Sequence, residues 1–322
     1  MKKILLLVPK DSSFLPPIAR YFRQKNWQAC VYDYRKGSLP IRILRFTPII
    51  GGFEKAAIKN LDEILKITST YKPSLIFVIK GENLEPNFLK KLKHENPNAV
   101  LINWFPDPIN LWELMVKISP YYDFYFDSDP QTVASLKKNG RKNVYNLPFA
   151  AEIGTQNYHD KNFDVSFIGT FSAYRENYLK ALTELNLNIW GDPRWLSSSL
   201  KDFARGGRIH QREMKDIIKR SKININLHHN VARSGTNLRT FEVVGSGGFL
   251  LVEYMPDLAR LFKMGSEIVC FKNQRELKAK ADYFLKNEKE RANIAKAGYK
   301  KAVIAHSYEK RLNELLSIIN LR

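Results

Sequence analysis

The stretch from Gly235 to Val252 gathers residue types suited to holding a nucleotide. A turn opens a helix, Arg239, Thr240 and Glu242 lie in its first turns, and Gly245, Gly247 and Gly248 end it before the apolar strand Phe249–Val252. Free N–H groups and the dipole at a helix N-terminus suit a diphosphate, and Arg239 adds positive charge there. A carboxylate such as that of Glu242 can accept two hydrogen bonds from ribose hydroxyls. A well-capped helix, with the glycines serving only as its C-cap, satisfies the same pattern. The residue chemistry alone leaves both readings open.

A second candidate is Asp107, in Trp104-Phe-Pro-Asp-Pro, on the loop after an apolar strand. Ligands of open α/β sheets collect at the carboxyl ends of strands. A carboxylate there can act as a general base that takes the proton of an attacking hydroxyl; a loop aspartate that caps backbone is the alternative. Ser12 and Ser13 follow the first strand in a similar place and read as N-cap groups. Asp127-Ser-Asp129 has the look of a divalent-metal motif. Pro130 follows at the first turn of a helix, which makes Asp129 an N-cap and leaves no metal site expected. In His228-His229 the adjacent side chains of a strand point to opposite faces, so the pair is poorly placed to chelate one ion.

These residues need elements to carry them. Apolar runs at Ile4–Val8, Ala29–Tyr34, Leu75–Ile79, Val100–Trp104 and Phe124–Phe126 read as strands. They alternate with helices over Leu15–Lys25, Lys55–Tyr71, Glu85–Asn96 and Pro130–Asn139, and residues 37–52 read as a long loop. Continuous apolar strands separated by helices predict a parallel sheet covered on both faces. Leu147–Asn162, with Pro148, Gly154 and a polar run, reads as a linker. A second series follows: strands Asp164–Ile168, Asn188–Trp190, Ile223–Leu227 and Phe249–Val252, helices Arg175–Leu185, Met214–Arg220 and Leu238–Val244, then a helical tail from Gln274.

With 322 residues, two domains are expected. The 52 Lys and Arg against 32 Asp and Glu give a formal charge of +20, which favours anionic partners without choosing among them. The basic residues are spread over many helices and no nucleic-acid motif accompanies them, so nucleic acid is not the expected partner. Cys30 and Cys270 form neither a disulfide framework nor a zinc site, which suits a reducing compartment. The run Ile4–Val8 is too short for a secretory segment, and no stretch approaches the roughly 20 apolar residues of a membrane span.

Several spaced motifs together resemble GT-B glycosyltransferases, most closely the spore-maturation CgeB-type family. They are the Gly235–Val252 segment, Asp164–Gly169 with Arg175-Glu176, the Trp190-Gly191 turn, Ser221–Leu227, Met255-Pro-Asp-Leu, and the tail from Glu290-Arg291 to His306-Ser307-Tyr308. Asn103–Pro108 and Leu147–Ala151 carry a weaker likeness in the first half. The resemblance implies an α/β GT-B fold: two Rossmann-like domains facing a central cleft, with a helical C-terminal tail. The expected domains are 1–155 for the acceptor, 156–305 for the donor, and a final helix, 306–322, returning to the first. The implied activity is sugar transfer from a nucleoside-diphosphate sugar to a hydroxyl of a glycan, protein or lipid-linked acceptor. It is expected to be metal-independent and to need no further cofactor.

In that resemblance Glu242 matches the glutamate that binds the donor ribose. Arg175, after Gly169-Thr170, falls near the basic residue that faces the diphosphate, or else is an exposed helix residue. Gly191 and the loop through Arg208 and His210 are where the base is expected to lie. The expected donor-binding set is Glu242, Arg239, Thr240, Asn237, Arg175, Gly169, Gly191 and His210, with Asp107 as catalytic base. Many such enzymes carry a second glutamate eight positions before the first; here that position is Ser234. A degenerate protein that binds a nucleotide-sugar without turnover therefore stands as the alternative, with a basic nucleic-acid-binding protein behind it. The expected location is cytoplasmic, and the charge is compatible with peripheral contact at the inner face of an anionic membrane.

Overall fold

The computed structural model describes residues 1–36, 51–106, 111–155, 160–228 and 234–321. The chain divides into two units, Met1–Pro148 with Leu312–Arg322, and Phe149–Arg311.

The first unit is built on a six-stranded sheet in the order β2-β1-β3-β4-β5-β6. The strands are β1 (Lys3–Leu7), β2 (Gln28–Tyr32), β3 (Leu75–Ile79), β4 (Val100–Phe105), β5 (Phe124–Asp127) and β6 (Val144–Asn146). All pair in parallel; Ile4, for example, stands against Ala29 on one side and Leu75 on the other. Every residue of β3 is buried, as expected of a central parallel strand covered on both faces. The helices are α1 (Leu15–Gln24), α2 (Gly51–Tyr71), α3 (Pro86–Glu95), α4 (Trp112–Ile118) and α5 (Pro130–Lys138). Two prolines open α1, where their missing N–H groups have no intrahelical role. Asp129 caps α5, its Oδ1 accepting from the N–H groups of Gln131 (2.8 Å) and Thr132 (3.0 Å).

The second unit carries a five-stranded parallel sheet, β11-β10-β9-β7-β8. Its strands are β7 (Phe163–Ile168), β8 (Leu187–Trp190), β9 (Ser221–Asn226), β10 (Leu250–Glu253) and β11 (Val269–Phe271). Helices α6 (Ala173–Leu179), α7 (Gln211–Arg220), α8 (Leu238–Gly245), α9 (Leu258–Leu261), α10 (Gln274–Lys286), α11 (Glu288–Lys301) and α12 (Tyr308–Ile318) complete it, with the end of α12 grouped with the first unit. Each sheet has its own buried apolar cluster, one around Ile76, Val78 and Phe105, the other around Val165, Ile225 and Phe271.

Several details differ from the sequence reading. The helix expected over Arg175–Leu185 is α6 followed by a tight 3₁₀ turn at Lys180–Leu182. Strands β6 and β11 and helix α4 were not anticipated; three-residue edge strands are too short to show a period. Of the loop read over 37–52, Gly51 and Gly52 are helical and residues 37–50 lie outside the described residues. The division falls at Pro148–Phe149 because the following residues are hydrogen-bonded into the second unit. Ala151 N–H donates to His306 O (2.7 Å), and Gly154 N–H to Gly245 O (3.0 Å).

The positive charge is not concentrated in either unit: 24 Lys and Arg face 14 Asp and Glu in the first, and 28 face 18 in the second. Among the described residues no helix is long and apolar enough to cross a membrane.

Candidate nucleotide site

Strand β7 comes first in the second sheet, and successive crossovers place β8 on one side of it and β9 on the other. That reversal leaves a crevice at the carboxyl edge, the usual ligand position of an open parallel sheet. A cavity of about 350 Å³ opens there, wholly within the second unit. Gly169, Gly191, Arg175, Asn237, Arg239 and Glu242 from the expected donor set all line it.

Helix α8 supplies the polar wall. Its N-cap, Asn237, has extended backbone (φ −83°, ψ 170°), yet its side chain makes no capping hydrogen bond. The amide is committed elsewhere: Asn226 Nδ2 donates to Asn237 Oδ1 (2.8 Å), and Asn237 Nδ2 donates to Asn226 Oδ1 (3.1 Å). The first N–H groups of α8 thus meet the cavity without a side-chain cap, which is the condition for binding an anion at a helix N-terminus. Arg239 Nη1 pairs with Glu242 Oε2 at 2.7 Å and also touches the Met214 sulfur, while its Nε is buried without a hydrogen-bond partner among the described residues. The arrangement sets a cation and a carboxylate side by side, one suited to phosphate and one to hydroxyls. Of the three glycines at the far end, Gly247 alone is left-handed (φ +79°). A Cβ on Gly245 would stand 2.8 Å from the Ala151 methyl, and one on Gly248 2.7 Å from an Ile218 methyl, so these two serve close packing.

Arg175 is buried, and its hydrogen-bonding capacity is largely spent on the chain itself. Nη1 donates to Thr170 O (3.0 Å) and Oγ1 (2.7 Å), and Nη2 to Leu227 O (3.0 Å). The side chain clamps the ends of β7 and β9 together beneath the cavity. Burial, then the nearby Arg239 charge, pushes its pKa down to about 10. This is not the exposed helix residue that the sequence allowed; the side chain also lines the cavity, and its Nε has no hydrogen-bond partner among the described residues.

Two expected donor residues do not line the cavity. Thr240 is fully buried, where its hydroxyl contacts Thr236 Oγ1 (2.6 Å) and accepts from Asn226 Nδ2 (2.9 Å). His210 is exposed at the N-cap of α7, and its neighbours Arg208 and Ile209 line the cavity instead. Asp107 and His229 lie outside the described residues.

Gly191 closes β8 with φ +110°, and a Cβ there would stand 3.0 Å from Gly169 N and 3.2 Å from Gly169 O. Both the backbone and the contact demand glycine. Gly191→Ala is expected to lower unfolding stability by about 2 kcal/mol and to weaken nucleotide binding in parallel. Urea midpoints and a nucleotide titration check this; an unchanged midpoint would contradict it.

Sequence reasoning missed a buried relay beside this site. His228 donates its backbone N–H to Glu253 Oε2 (2.9 Å), Tyr174 OH donates to Glu253 Oε1, and His228 Nε2 contacts Thr236 Oγ1 (2.9 Å). Burial alone would raise the Glu253 carboxyl; hydrogen bonds from His228 and Tyr174 outweigh it and hold the group below its ordinary value. Burial pushes the His228 imidazole down, which keeps it neutral at pH 7. The relay fixes the turn after β9 that presents Leu227 O to Arg175 and Asn237. Its one legible signal is Glu253, a charge directly after the buried run Leu250–Val252.

Residues 175–317 match the family described as glycosyl transferase-like. The matched segment contains Arg175, Asn237, Arg239, Glu242 and the Glu253 relay. No curated protein sequence matches the chain. Among solved structures it is similar to HepE of Anabaena in complex with UDP and glucose, with a TM-score of 0.71 and 10% identity over 99% of this chain and 100% of that one. Sucrose-phosphate synthase from Thermosynechococcus elongatus gives 0.70 and 9%, covering 99% and 98%. A glycosyltransferase from Rickettsia africae gives 0.67 and 12%, covering 98% and 97%. At these identities the likeness shows the fold, the GT-B fold of two Rossmann-like domains.

Proposed function

We propose that the protein is a glycosyltransferase that uses a nucleoside-diphosphate sugar, with a UDP-sugar as the leading donor, and a hydroxyl acceptor. The observation that carries this reading is the uncapped N-terminus of α8 beside Arg239 and Glu242 in one cavity. Helix dipole and Arg239 offset the charge of the departing diphosphate, the main electrostatic demand of the step, without a metal ion. Glu242 receives the ribose hydroxyls, and Gly191, Arg208 and Ile209 form the wall for the base. UDP is favoured because the HepE structures contain UDP and UDP-glucose. Within this reading, the protein is of the CgeB type and works in the cytoplasm. Asp107 is the proposed base toward a glycan, protein or lipid-linked acceptor, and peripheral membrane contact is compatible with the charge.

One observation favours a second reading. Ser234 stands where a sugar-facing glutamate is found in many GT-B enzymes, and its carbonyl accepts from Asp257 N–H (3.1 Å). A protein that binds the donor without transfer would follow from that loss.

The test is a thermal-shift panel of nucleoside diphosphates, with Glu242→Ala alongside. UDP at a hundred times its dissociation constant is expected to add about 2.7 kcal/mol of stability, and the variant to lose most of that gain. No shift with any diphosphate, in protein shown to be folded by circular dichroism, would overturn the reading. A shift without sugar transfer to any acceptor would support the second reading.

A further inference from the structure

Beside the donor cavity runs a chain of buried polar side chains that the proposed donor contacts do not use. Asn226 ends β9 and His228 follows it, Glu253 ends β10, and Thr236 and Thr240 flank the start of α8. Asn226, His228, Thr236 and Thr240 are each no more than 4% exposed.

The chain is continuous. Asn226 Nδ2 lies 2.9 Å from Thr240 Oγ1, Thr240 Oγ1 2.6 Å from Thr236 Oγ1, and Thr236 Oγ1 2.9 Å from His228 Nε2. Across the imidazole, His228 Nδ1 stands 3.7 Å from Glu253 Oε2 and has no hydrogen-bond partner among the described residues. Tyr174 OH donates to the other oxygen of that carboxylate.

The direction of the chain follows from charge. Glu253 is ionised at pH 7, its carboxyl held below the ordinary value, and the buried His228 ring is neutral, with a single proton to place. The gap of 3.7 Å is too long for a hydrogen bond. It is short enough to choose the nitrogen: a bare Nδ1 would set its lone pair against the carboxylate, whereas Nδ1–H meets it with favourable sign. The proton therefore sits on Nδ1, and Nε2 is an acceptor. Thr236 must then donate to Nε2, which obliges the Thr240 hydroxyl to donate to Thr236. Thr240 in turn accepts from the Asn226 amide. Each hydroxyl donates once and accepts once, and hydrogen bonds ordered in one direction strengthen one another.

What the chain holds is the first turn of α8. Thr236 precedes the N-cap Asn237, and Thr240 is the third residue of the helix. Leu238 and Arg239, between them, line the cavity where the uncapped N–H groups and the cation meet it. Donors at a helix N-terminus serve an anion only within hydrogen-bond reach, so their placement decides their effect.

We propose that Glu253 and Thr236 are positioning residues of the donor site: Glu253 holds His228 as the Nδ1–H tautomer, and the hydrogen bonds from His228 through Thr236 and Thr240 fix the first turn of α8 where a diphosphate is received. This rests on the donor reading above.

The experiment compares the affinities of the full chain for UDP and for uridine by isothermal titration. Thr236→Val keeps the shape and removes the hydroxyl. It is expected to weaken UDP binding about tenfold. Uridine binding is expected to fall less than about threefold, because Gly191, Arg208 and Ile209 line the cavity from other segments. Thr236→Ser, which restores the hydroxyl, is expected to recover UDP affinity to within about threefold of the parent. Glu253→Gln alone is expected to weaken UDP binding about threefold or more. Combined with Thr236→Val it is expected to add less than about threefold to the loss of Thr236→Val, because both changes interrupt one chain. Ile294→Val, in the core cluster of the same unit and no member of the chain, lowers stability and is expected to leave UDP affinity unchanged. Nitrogen-15 NMR of the parent, with the His228 signal identified by its absence in His228→Gln, is expected to show Nδ1 protonated and Nε2 bare. Equal losses for UDP and uridine, losses that multiply in the double variant, a loss in Ile294→Val matching that in Thr236→Val, or an Nε2–H tautomer would overturn the proposal. A parent protein that binds no nucleoside diphosphate overturns the donor reading and this proposal with it. A parent that binds UDP, with Thr236→Val unchanged, overturns this proposal alone.

Discussion

Replacing Arg239 with alanine is expected to lower kcat/KM for the donor by about 10²–10³ while leaving the fold intact. The size follows from where the charge develops. As the glycosidic bond breaks, the diphosphate gains negative charge, and a fixed cation at that position acts more strongly in the transition state than in the ground state. In the structure Arg239 stands one residue into α8, whose N-terminal N–H groups lack a side-chain cap, so the two positive elements act on the same place. The stability effect is expected to be small, because the Arg239–Glu242 pair is partly exposed, with 20% and 14% of the two side chains accessible. Such pairs contribute about 0–1 kcal/mol. Lysine at this position keeps the charge but loses the planar fork, and is expected to recover only part of the rate. The measurement is steady-state transfer from the donor identified by the thermal-shift panel, with urea unfolding of each variant alongside. Turnover within about threefold of the parent in Arg239→Ala would remove Arg239 from the reaction, since a lost donor of this kind costs far more.

Much of this fold is legible in the sequence, for a physical reason. Strands such as Leu75–Ile79 are buried on both faces and must be continuously apolar, so they show as uninterrupted runs. Helix α8 was legible because its cation, its acid and its terminal glycines fall within a few residues of one another. What the sequence does not carry is which polar groups consume each other. Asn237 and Thr240 both read as donor-binding groups; the Asn237 amide is taken by Asn226, and the Thr240 hydroxyl by Thr236 and Asn226. Tyr174, His228 and Glu253 meet from three separate elements, 79 residues apart at the extreme, and no local pattern announces such a meeting. His210 is exposed at the start of α7, with no side-chain capping bond, while Arg208 and Ile209 on the preceding loop line the cavity. The glycines divide in the same way. The need for Gly191 follows from its approach to Gly169, which lies on a different strand end and is invisible in either neighbourhood alone.

Arg175 is the sharpest instance, and it yields the second large effect. Arg175→Ala is expected to reduce the free energy of unfolding by about 3 kcal/mol or more. The guanidinium satisfies the carbonyls of Thr170 and Leu227, which close two neighbouring strands, and packs with its centre 5.7 Å from the centroid of the Phe167 ring. Removing it strands those acceptors and opens a void against Phe167, while Glu253 nearby loses a compensating positive charge. Methionine, which restores volume without hydrogen bonds, is expected to recover the packing share alone and remain destabilised by about 1–2 kcal/mol. A residue that acted only on the diphosphate would behave differently: its alanine variant would keep the parental urea midpoint and lose donor affinity. The clamp predicts the reverse order, a lowered midpoint first, with donor binding falling because Gly169 and Asn237, positioned by the same strand ends, are no longer held. Urea denaturation with and without saturating nucleoside diphosphate separates the two, since ligand raises both midpoints but cannot restore the hydrogen bonds to Thr170 and Leu227. An Arg175→Ala midpoint equal to that of the parent protein would return Arg175 to the role of ligand.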